Sequence, residues 1–189
     1  MAAALALETE RLILRRFREE DWRELQAYVS LPEVTRYDFE YPTTDQGCRE
    51  LAVYFAAREG AWAVCLKDTG RLIGHLVSNR LTPADILTWD LGFIFNPAYE
   101  SRGYATEACR AVVDYVFEVM GAHRIESHCH PDNDRSWRLL GRLGMRREGH
   151  HLKNGFLRRA EDGSPIWCDS LDYALLQEEW LAARTSARA

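Results

Sequence analysis

The sequence predicts an α+β fold, in which a mixed and mostly antiparallel sheet lies between helices. Three observations predict it. Short alternating or apolar runs typical of strands are interleaved with stretches whose apolar residues recur at helical spacing. Two of the apolar runs, residues 61–66 and 71–80, are joined by the turn KDTG, as in a hairpin. Elsewhere a strand, a long helix and another strand follow one another, which predicts one parallel pair of strands.

The first half of the chain is predicted to contain a strand, two helices and a hairpin. In chain order these elements lie at residues 11–17, 18–30, 44–58, 61–66 and 71–80. Alternation places Leu12 and Leu14 on one side of the first strand, and Pro32 stops the first helix. Helical spacing predicts inner stripes of Trp22, Leu25 and Val29 in the first helix and of Leu51, Tyr54 and Phe55 in the second.

The second half is predicted to hold four strands, a long helix, a short helix and a final helix. These elements lie at residues 86–95, 105–120, 123–130, 133–144, 145–157, 166–176 and 177–189, and the last ends in a frayed tail. The long helix is expected to end at Gly121. Its buried stripe is expected to contain Ala105, Ala108, Cys109, Val112, Val113, Val116 and Met120, with Glu107, Arg110, Asp114 and Glu118 facing away. We expect all 189 residues to form one domain, with its core at about residues 7–180.

Composition argues against several classes of function. The net charge of -5 argues against a general nucleic-acid binder. No apolar run approaches the roughly 20 residues that span a bilayer, and residues 1–7 lack the basic flank of a signal peptide. Five scattered cysteines, without a C-x-x-C pair, are typical of reduced thiols in a cytosol. We therefore expect a cytoplasmic protein without nucleic-acid or membrane partners, either monomeric or a homodimer.

The junction between the fourth strand and the long helix is a candidate anion site. It consists of Ser101, Arg102, Gly103 and Tyr104. Successive backbone N–H groups from Ser101 to Ala105 would point out of such a turn, at the positive end of the helix dipole, and that geometry binds phosphate. Gly103 permits a positive φ, and Arg102 would add a charge-assisted bond. A simple strand-to-helix turn that needs glycine explains this stretch equally well.

A second stretch, NDRSWRLLGRLGM at residues 133–145, favours the anion site over the simple turn. Together with ESRGYA at residues 100–105 it resembles the pyrophosphate loop and the following segment of the GNAT superfamily of acyl-CoA N-acetyltransferases. The lead-in LETERLILRRF and the strand DLGFIFNP are similar to the ribosomal-protein (RimJ/RimL-like) branch, which acetylates protein N-termini. The resemblance implies the GNAT-type fold, with the fourth and fifth strands splayed. Glu100 departs from the family, which often has Gln or Arg there, and we expect it at most to weaken the loop.

The resemblance implies an acetyl-CoA-dependent N-acetyltransferase, in which an amine attacks the thioester directly in a ternary complex. Coenzyme A would be held by the amides of residues 101–105, and pantetheine would lie along the backbone of Phe93, Ile94 and Phe95. A backbone N–H of that strand would polarise the thioester carbonyl. We expect no covalent enzyme intermediate, because no cysteine lies in a recognisable nucleophile setting.

The resemblance also implies three candidates for catalytic roles. Asp90 lies near the position where members of the family carry a base, although a lone strand aspartate is often a structural hydrogen-bonder. Ser136 would protonate the leaving thiolate or would only bond within its helix. Asn133 would contact the acyl or pantetheine group, cap the helix, or do both. Gly155 stands where some relatives have a glutamate base, so the base is sought in Asp90 or in a histidine.

Two histidines and a row of arginines have weaker assignments. His128 and His130 share a face of the fifth strand and are either a proton shuttle or ordinary sheet histidines. Two ligands at this spacing are weak evidence for a metal, and we predict none. A helical row is formed by Arg135, Arg138 and Arg142. This row either contacts the 3′-phosphate of the cofactor or is a solvated helix face. Arg138 is our candidate for the phosphate contact.

The acceptor side is the least constrained by the sequence. Tyr37, Phe39 and Tyr41, interleaved with acidic residues, either line a pocket for a cationic amine or form an ordinary aromatic lid. The first candidate acceptor is the α-amine of a protein or peptide. The second is a small amine such as an aminoglycoside, a polyamine or an amino acid. A non-catalytic module that binds coenzyme A is the alternative from another class.

Overall fold

The computed structural model describes residues 6–186, so residues 1–7 are seen only in part and residues 187–189 of the predicted frayed tail lie outside the described residues. The strands described are β1 (Ala6–Glu8), β2 (Leu12–Arg15), β3 (Ala61–Leu66), β4 (Leu72–Arg80), β5 (Thr88–Phe95), β6 (Arg124–Cys129), β7 (Arg146–Arg159) and β8 (Pro165–Leu176). The α-helices are α1 (Trp22–Val29), α2 (Pro32–Thr35), α3 (Asp45–Ala56), α4 (Tyr104–Glu118), α5 (Asp134–Arg142) and α6 (Gln177–Ser186). Within residues 6–186, no helix combines the length and the apolar character needed to cross a bilayer.

The strands form an eight-stranded mixed sheet in the order β1-β2-β3-β4-β5-β6-β8-β7. β5 and β6 run parallel, as a strand–helix–strand crossover through α4 requires. The pairs β1–β2, β2–β3, β3–β4, β6–β8 and β7–β8 are antiparallel. The α+β class with a mixed and mostly antiparallel sheet, predicted from the sequence, is therefore confirmed.

The parallel ladder between β5 and β6 is short. It joins Thr88 to Arg124 at one end and Asp90 to Glu126 at the other. At the next position the hydroxyl of Ser127 donates to the carbonyl oxygen of Leu91 at 2.7 Å. A side-chain hydrogen bond thus replaces the backbone hydrogen bond between the two strands. This arrangement supports the expectation that the two strands diverge beyond Asp90.

Two elements of the N-terminal part were not predicted. β1 pairs with β2 in front of the predicted first strand. Pro32 follows the end of α1, as predicted, but it also occupies the first turn of the short helix α2, which lies between the helices predicted at residues 18–30 and 44–58. Proline is favoured there because its missing N–H is unpaired at a helix N-terminus in any case and its φ is already helical.

The chain divides into two compact units, each described here by itself. Unit 1 comprises the residues up to 77 together with residues 93–111, and unit 2 comprises residues 78–92 and those from 112 onward. The boundaries fall within β4, β5 and α4. The prediction of a single domain stays a prediction.

Unit 1 has an apolar core in which α1 and α3 pack on the strands. The buried cluster consists of Phe17, Trp22, Leu25, Tyr28, Val29, Cys48, Ala52, Phe55, Ala61, Ala63, Cys65, Leu72 and Ile94. The predicted stripe of α1 is confirmed. That of α3 is partly wrong, because Tyr54 is exposed whereas Cys48 and Ala52 are buried. Arg58 explains the position of Tyr54, since its guanidinium lies over that ring and donates to the phenol oxygen at 2.7 Å.

A polar pair lies inside the core of unit 1. His75 on β4 is only 2% exposed, and its Nδ1 lies 2.8 Å from the phenol oxygen of Tyr28. The rings of Phe17, Phe55 and Tyr41 lie around the imidazole. Burial lowers the pKa of His75 to about 3, because a charged imidazolium would lose its hydration there. The imidazole is therefore neutral and hydrogen-bonded at ordinary pH.

Unit 2 is built from the second half of α4, from α5 and α6, and from the strands next to them. Its buried apolar residues include Val112, Val113, Val116, Phe117, Ile125, Leu139, Leu140, Met145, Leu171, Tyr173, Leu175 and Trp180. The α4 stripe is confirmed at Ala108, Cys109, Val112, Val113 and Val116. Met120 is exposed instead, because α4 ends at Glu118 and Gly121 turns the chain at a φ of +68°.

Trp180 joins α6 to α4 within unit 2. Its ring stacks on Phe117, with the ring centroids 5.2 Å apart, and its Nε1 donates to Asp114 Oδ1 at 2.7 Å. Asp114 was expected to face away from the buried stripe of α4, but it accepts a hydrogen bond from α6.

We expect Trp180→Ala to lower the free energy of unfolding by about 3–5 kcal/mol, measured by urea denaturation. Trp180→Phe, which keeps the stacking and loses the hydrogen bond, is expected to cost about 1 kcal/mol. Equal losses for the two variants would contradict this role of the ring.

Candidate active site

The turn before α4 has the backbone conformation that the phosphate prediction requires. Ser101 has a φ of +59° and Gly103 a φ of +82°, both in the left-handed region that a serine seldom adopts. The N–H of Glu107 donates to the carbonyl of Gly103 at 3.0 Å, so Tyr104 and Ala105 lie in the first turn, where helix geometry provides no intrahelical acceptor for their amides. Left-handed residues in such a turn direct consecutive N–H groups to one side. The role of this turn in holding a diphosphate stays a prediction.

Side chains from the β1–β2 segment hold this turn. Arg11 Nη1 donates to the carbonyl oxygen of Arg102 at 2.9 Å, and Arg11 Nε donates to Glu107 Oε2 at 2.7 Å. The Thr9 hydroxyl donates to Glu107 Oε1 at 2.6 Å, and the Arg11 guanidinium lies 4.6 Å from the ring centroid of Tyr104. Glu107 was expected to face away from the protein. It contacts Arg11 instead, a residue between β1 and β2 that lies 96 positions earlier in the chain.

The charge of Glu107 is balanced where a phosphate would bind. Burial raises the pKa of Glu107, but the hydrogen bonds from Thr9 and Arg11 lower it further, to below its ordinary value. The carboxylate is therefore ionised and paired with the Arg11 guanidinium at 2.6 Å. An unpaired carboxylate in this first turn would repel a diphosphate, whereas the paired one does so far less.

Glycine is needed at position 103 for two reasons. Its left-handed φ disfavours a side chain, and a Cβ at this position would lie 3.3 Å from Arg11 Nη2. The neighbouring Arg102 is exposed, with its guanidinium 5.8 Å from the ring centroid of Tyr99. Glu100 is extended, and its N–H donates to the carbonyl of Pro97 at 3.1 Å. Its expected effect on cofactor affinity stays a prediction.

The predicted pantetheine strand lies in the last part of β5. Ile94 belongs to the core of unit 1, whereas the alternating Phe93 and Phe95 are half-buried. Gly74 on β4 allows a close approach, because a Cβ there would lie 2.6 Å from the carbonyl oxygen of Ile94 and from the ring of Phe95. The side chains of this segment serve packing, and the role of its backbone stays a prediction.

The three aromatic residues of the predicted acceptor loop do not form one uniform wall. Phe39 is 65% exposed, whereas Tyr41 packs against the core of unit 1 and burial raises its pKa. Tyr37 is half-buried, with the Arg36 guanidinium 5.1 Å from its ring centroid. Between them Asp38 is also shielded from solvent, and burial raises its pKa although the N–H of Phe39 donates to it at 2.7 Å.

The three predicted catalytic residues lie in unit 2, and each has a structural bond. Asp90 Oδ1 accepts from the N–H of Asn79 at 2.7 Å, which ties β5 to β4. Asn133 caps α5 through its side-chain oxygen, 3.2 Å from the N–H of Ser136. Ser136 is buried beside Cys129. Burial raises the pKa of that thiol to about 11, against the opposing effect of its hydrogen bond with Ser136. The structure thus brings Asn133 and Ser136 together at one helix start.

Two further positions singled out in the sequence are Arg138 on α5 and Gly155. Arg138 is exposed, forms an ion pair with Asp134 at 3.4 Å and lies over the Trp137 ring, which agrees with a solvated helix face. Gly155 is in β7 and pairs with Cys168 of β8.

The histidines of the fifth predicted strand have partners that the sequence did not indicate. His128 Nδ1 lies 2.8 Å from Asp172 Oδ1 on β8, and His151 Nε2 of β7 contacts the other oxygen of the same carboxylate. The Nδ1 of His130 accepts from the N–H of Asp132 at 3.2 Å. Among residues 6–186 no group of three His, Cys, Asp or Glu side chains is arranged to hold a metal ion.

The mixed sheet, the parallel β5–β6 pair and the turn before α4 define an α+β protein with two left-handed residues just before its long helix. Residues 11–146 match the family model described as an acetyltransferase (GNAT) domain. The chain therefore belongs to the GNAT acetyltransferase family. It is an acyltransferase enzyme whose cofactor is acetyl-CoA.

Relatives over nearly the whole chain agree with this assignment. An uncharacterized N-acetyltransferase of Bacillus subtilis, YnaD, is 34% identical and aligns with 92% of this chain and 98% of its own. The crystal structure of a GNAT-family acetyltransferase from Bacillus anthracis has a TM-score of 0.78 at 31% identity, over 92% of this chain and 99% of that one.

Two more distant proteins have named acceptors. The [ribosomal protein uS5]-alanine N-acetyltransferase of Escherichia coli is 27% identical over 94% of both chains. A spermidine N-acetyltransferase from Vibrio cholerae, in complex with CoA and spermine, has a TM-score of 0.73 over 92% of this chain and 99% of that one. At 19% identity this second likeness concerns the fold alone.

Proposed function

We propose that this enzyme acetylates the α-amine of a protein or peptide N-terminus, as a member of the ribosomal-protein (RimJ/RimL-like) branch. The observation that carries the reaction is the turn at Ser101 and Gly103, with two left-handed residues directly before α4 and no bulky side chain at position 103. The Escherichia coli relative, which matches over 94% of both chains, supports this class of acceptor.

Each predicted site residue has a role in this proposal. Acetyl-CoA supplies the activated thioester. The amides of residues 101–105 hold its diphosphate, Arg102 adds a charge-assisted bond, and Arg138 faces its 3′-phosphate. The backbone of Phe93, Ile94 and Phe95 lines the pantetheine and polarises the carbonyl. Asn133 orients the acyl end, Ser136 donates to the leaving sulfur, and the base is Asp90 or a histidine.

A small amine is the second candidate acceptor. Phe39 is largely exposed between Asp38 and Glu40, and such a surface suits an aliphatic cation. In this version of the proposal Tyr37, Phe39 and Tyr41 contact the acceptor directly.

A thiol-release assay tests the proposal. Purified protein and acetyl-CoA are mixed with a peptide that begins with alanine, with spermidine or with kanamycin, and free coenzyme A is measured. We expect kcat/KM to be at least about tenfold higher for the peptide than for either small amine, and mass spectrometry to locate the acetyl group on the α-amine. Preferred turnover of spermidine or kanamycin would overturn the acceptor class. Calorimetric binding of acetyl-CoA without turnover of any amine would favour the non-catalytic module.

Three further properties belong to this proposal: the location, the domain organisation and the oligomeric state. All five cysteines are free thiols, which supports a cytoplasmic location. The family match at residues 11–146 includes parts of both compact units, which supports a single acetyltransferase domain. Light scattering after size exclusion distinguishes a homodimer from a monomer.

A further inference from the structure

The β6–β8–β7 part of unit 2 carries a row of titratable side chains on one face of the sheet. Asp90 pairs with Glu126 in the parallel ladder, and His128 lies two residues beyond Glu126 on the same strand. Paired residues of neighbouring strands share a face, and so do residues two apart. Asp90, Glu126 and His128 therefore project from the same side of the sheet, and Asp172 joins them because it pairs directly with His128.

The Asp172 carboxylate connects two histidines. Its Oδ1 lies 2.8 Å from His128 Nδ1, and its Oδ2 contacts His151 Nε2. Burial raises the pKa of Asp172, but the two histidines outweigh that effect and hold it below the ordinary value. The carboxylate is thus ionised and only accepts hydrogen bonds. A neutral imidazole that donates from Nδ1 must carry its lone pair on Nε2, so Asp172 selects the tautomer of His128.

The surroundings of His128 leave Nε2 suited to accept a proton. Glu126 Oε1 lies 3.8 Å from Nε2, which is beyond hydrogen-bond distance. Glu126 is in turn held by Arg124 at 3.3 Å. The other groups near this histidine are His130, just past the end of β6, Asp172 on β8, His151 on β7 through that carboxylate, and Asp90 on β5. The imidazole is 53% exposed.

Asp90 is less suited to the same task. Its Oδ1 is already engaged by the N–H of Asn79 at 2.7 Å, in a bond that helps to join β4 and β5. His128, in contrast, lies just past the end of the parallel ladder, on the face that Asp90 also occupies. If the thioester lies between the diverging strands, as the proposed function requires, His128 is the first side chain of β6 on this face beyond the ladder.

We propose that His128 is the base that deprotonates the acceptor amine, and that Asp172 is its positioning residue. This inference rests on the proposed acetyl transfer. His128 Nε2 takes one proton from the acceptor ammonium, and the freed nitrogen lone pair attacks the carbonyl carbon of acetyl-CoA. The C–N bond forms and the C–S bond breaks with its electron pair on sulfur. The second proton lost by the nitrogen goes to that thiolate, so that acetylated amine, coenzyme A thiol and imidazolium result. The imidazolium then releases its proton to water.

Steady-state kinetics of four variants test the inference, with acetyl-CoA and the alanine peptide, spermidine or kanamycin, whichever the wild type turns over. We expect His128→Gln to lower kcat by about 10²–10³-fold, because general-base catalysis contributes on that order. Asp172→Asn is expected to lower kcat about tenfold or more and to move the acidic limb of the kcat/KM profile to lower pH, since the imidazolium loses its anionic neighbour. Asp90→Asn is expected to lower kcat less than fivefold.

His150→Gln is the matched control. His150 lies on β7, is 44% exposed and bonds a carboxylate, Asp169, at 2.9 Å, so it reproduces the chemistry of the His128–Asp172 pair outside the row. We expect it to leave kcat within twofold of wild type. All variants should bind acetyl-CoA like the wild type in calorimetry and keep its thermal midpoint.

Imidazole ¹H–¹⁵N correlation spectra give a readout that does not depend on turnover. The wild type is expected to show His128 as the Nδ1-protonated tautomer, and Asp172→Asn should lose that preference. Wild-type kinetics in His128→Gln, a larger loss in Asp90→Asn, or an Nε2-protonated His128 would overturn the inference while the acetyl transfer stands. A wild type that acetylates none of the three amines would instead refute the proposed function, and the inference with it.

Discussion

Gly103→Ala is expected to weaken coenzyme A binding by at least about tenfold in isothermal titration calorimetry. Gly103 has a φ of +82°, and a Cβ there would lie 3.3 Å from Arg11 Nη2. The left-handed conformation costs a residue with a Cβ roughly 1–2 kcal/mol, and a tenfold loss of affinity corresponds to about 1.4 kcal/mol. The turn is expected to relieve that strain by rotating its peptide planes, which directs the amides away from the diphosphate.

Gly163→Ala is the control that distinguishes the loss of the binding geometry from the strain of placing an alanine in a left-handed conformation. Gly163 lies between β7 and β8, also has a φ of +82°, and has no atom within 4 Å of a built Cβ. Both substitutions should lower the free energy of unfolding to a similar extent, but only Gly103→Ala should weaken binding. Equal affinities in the two variants would show that the turn before α4 does not hold the cofactor.

The stability of the protein is expected to fall as the pH decreases from about 6.5 towards 3, because of His75. Its pKa is about 3 in the folded state, against an ordinary value of 6.5. Between these values the unfolded chain binds a proton that the folded core excludes, so acid favours unfolding, whereas above pH 6.5 the residue has no effect. The free energy of unfolding should drop by up to about 1.4 kcal/mol per pH unit in this window. Urea denaturation at pH 7.5, 6.5, 5.5 and 5.0 measures the slope.

A double substitution, Tyr28→Phe with His75→Leu, is the control for this slope. It removes the hydrogen-bonded pair together, so that neither partner is left buried without a bond. The carboxylates with lowered pKa values, such as Glu107 and Asp172, lose their stabilising charge only at lower pH. The window from pH 6.5 to 5.0 lies above the titration of these carboxylates, and the difference in slope between the wild type and the double variant reports His75. A double variant with the wild-type slope would show that another group excludes the proton.

Several features of the fold and of the site were readable from short stretches of sequence. The apolar spacing of α1 and α4 identified their buried faces, since a helix repeats every 3.6 residues whatever surrounds it. Asn133 was recognised as the cap of α5, and it bonds the N–H of Ser136 three residues later. Errors arose where a neighbouring side chain or the actual end of a helix overrode the apolar spacing. Tyr54 is held at the surface by Arg58, four residues later, and Met120 lies beyond the end of α4.

The turn at Ser101 and Gly103 was predictable from the sequence, because backbone conformation and helix dipoles depend on neighbouring residues. The side chains that balance and complete the site were not. Arg11 reaches Glu107 across 96 residues and His128 reaches Asp172 across 44, through strand pairing and packing that only the folded chain establishes. Periodicity records which face of an element is apolar, but the register of one strand on another depends on the whole sheet. Local chemistry therefore predicted an anion site before α4, whereas tertiary contacts decided which side chains pair with Glu107 and with His128.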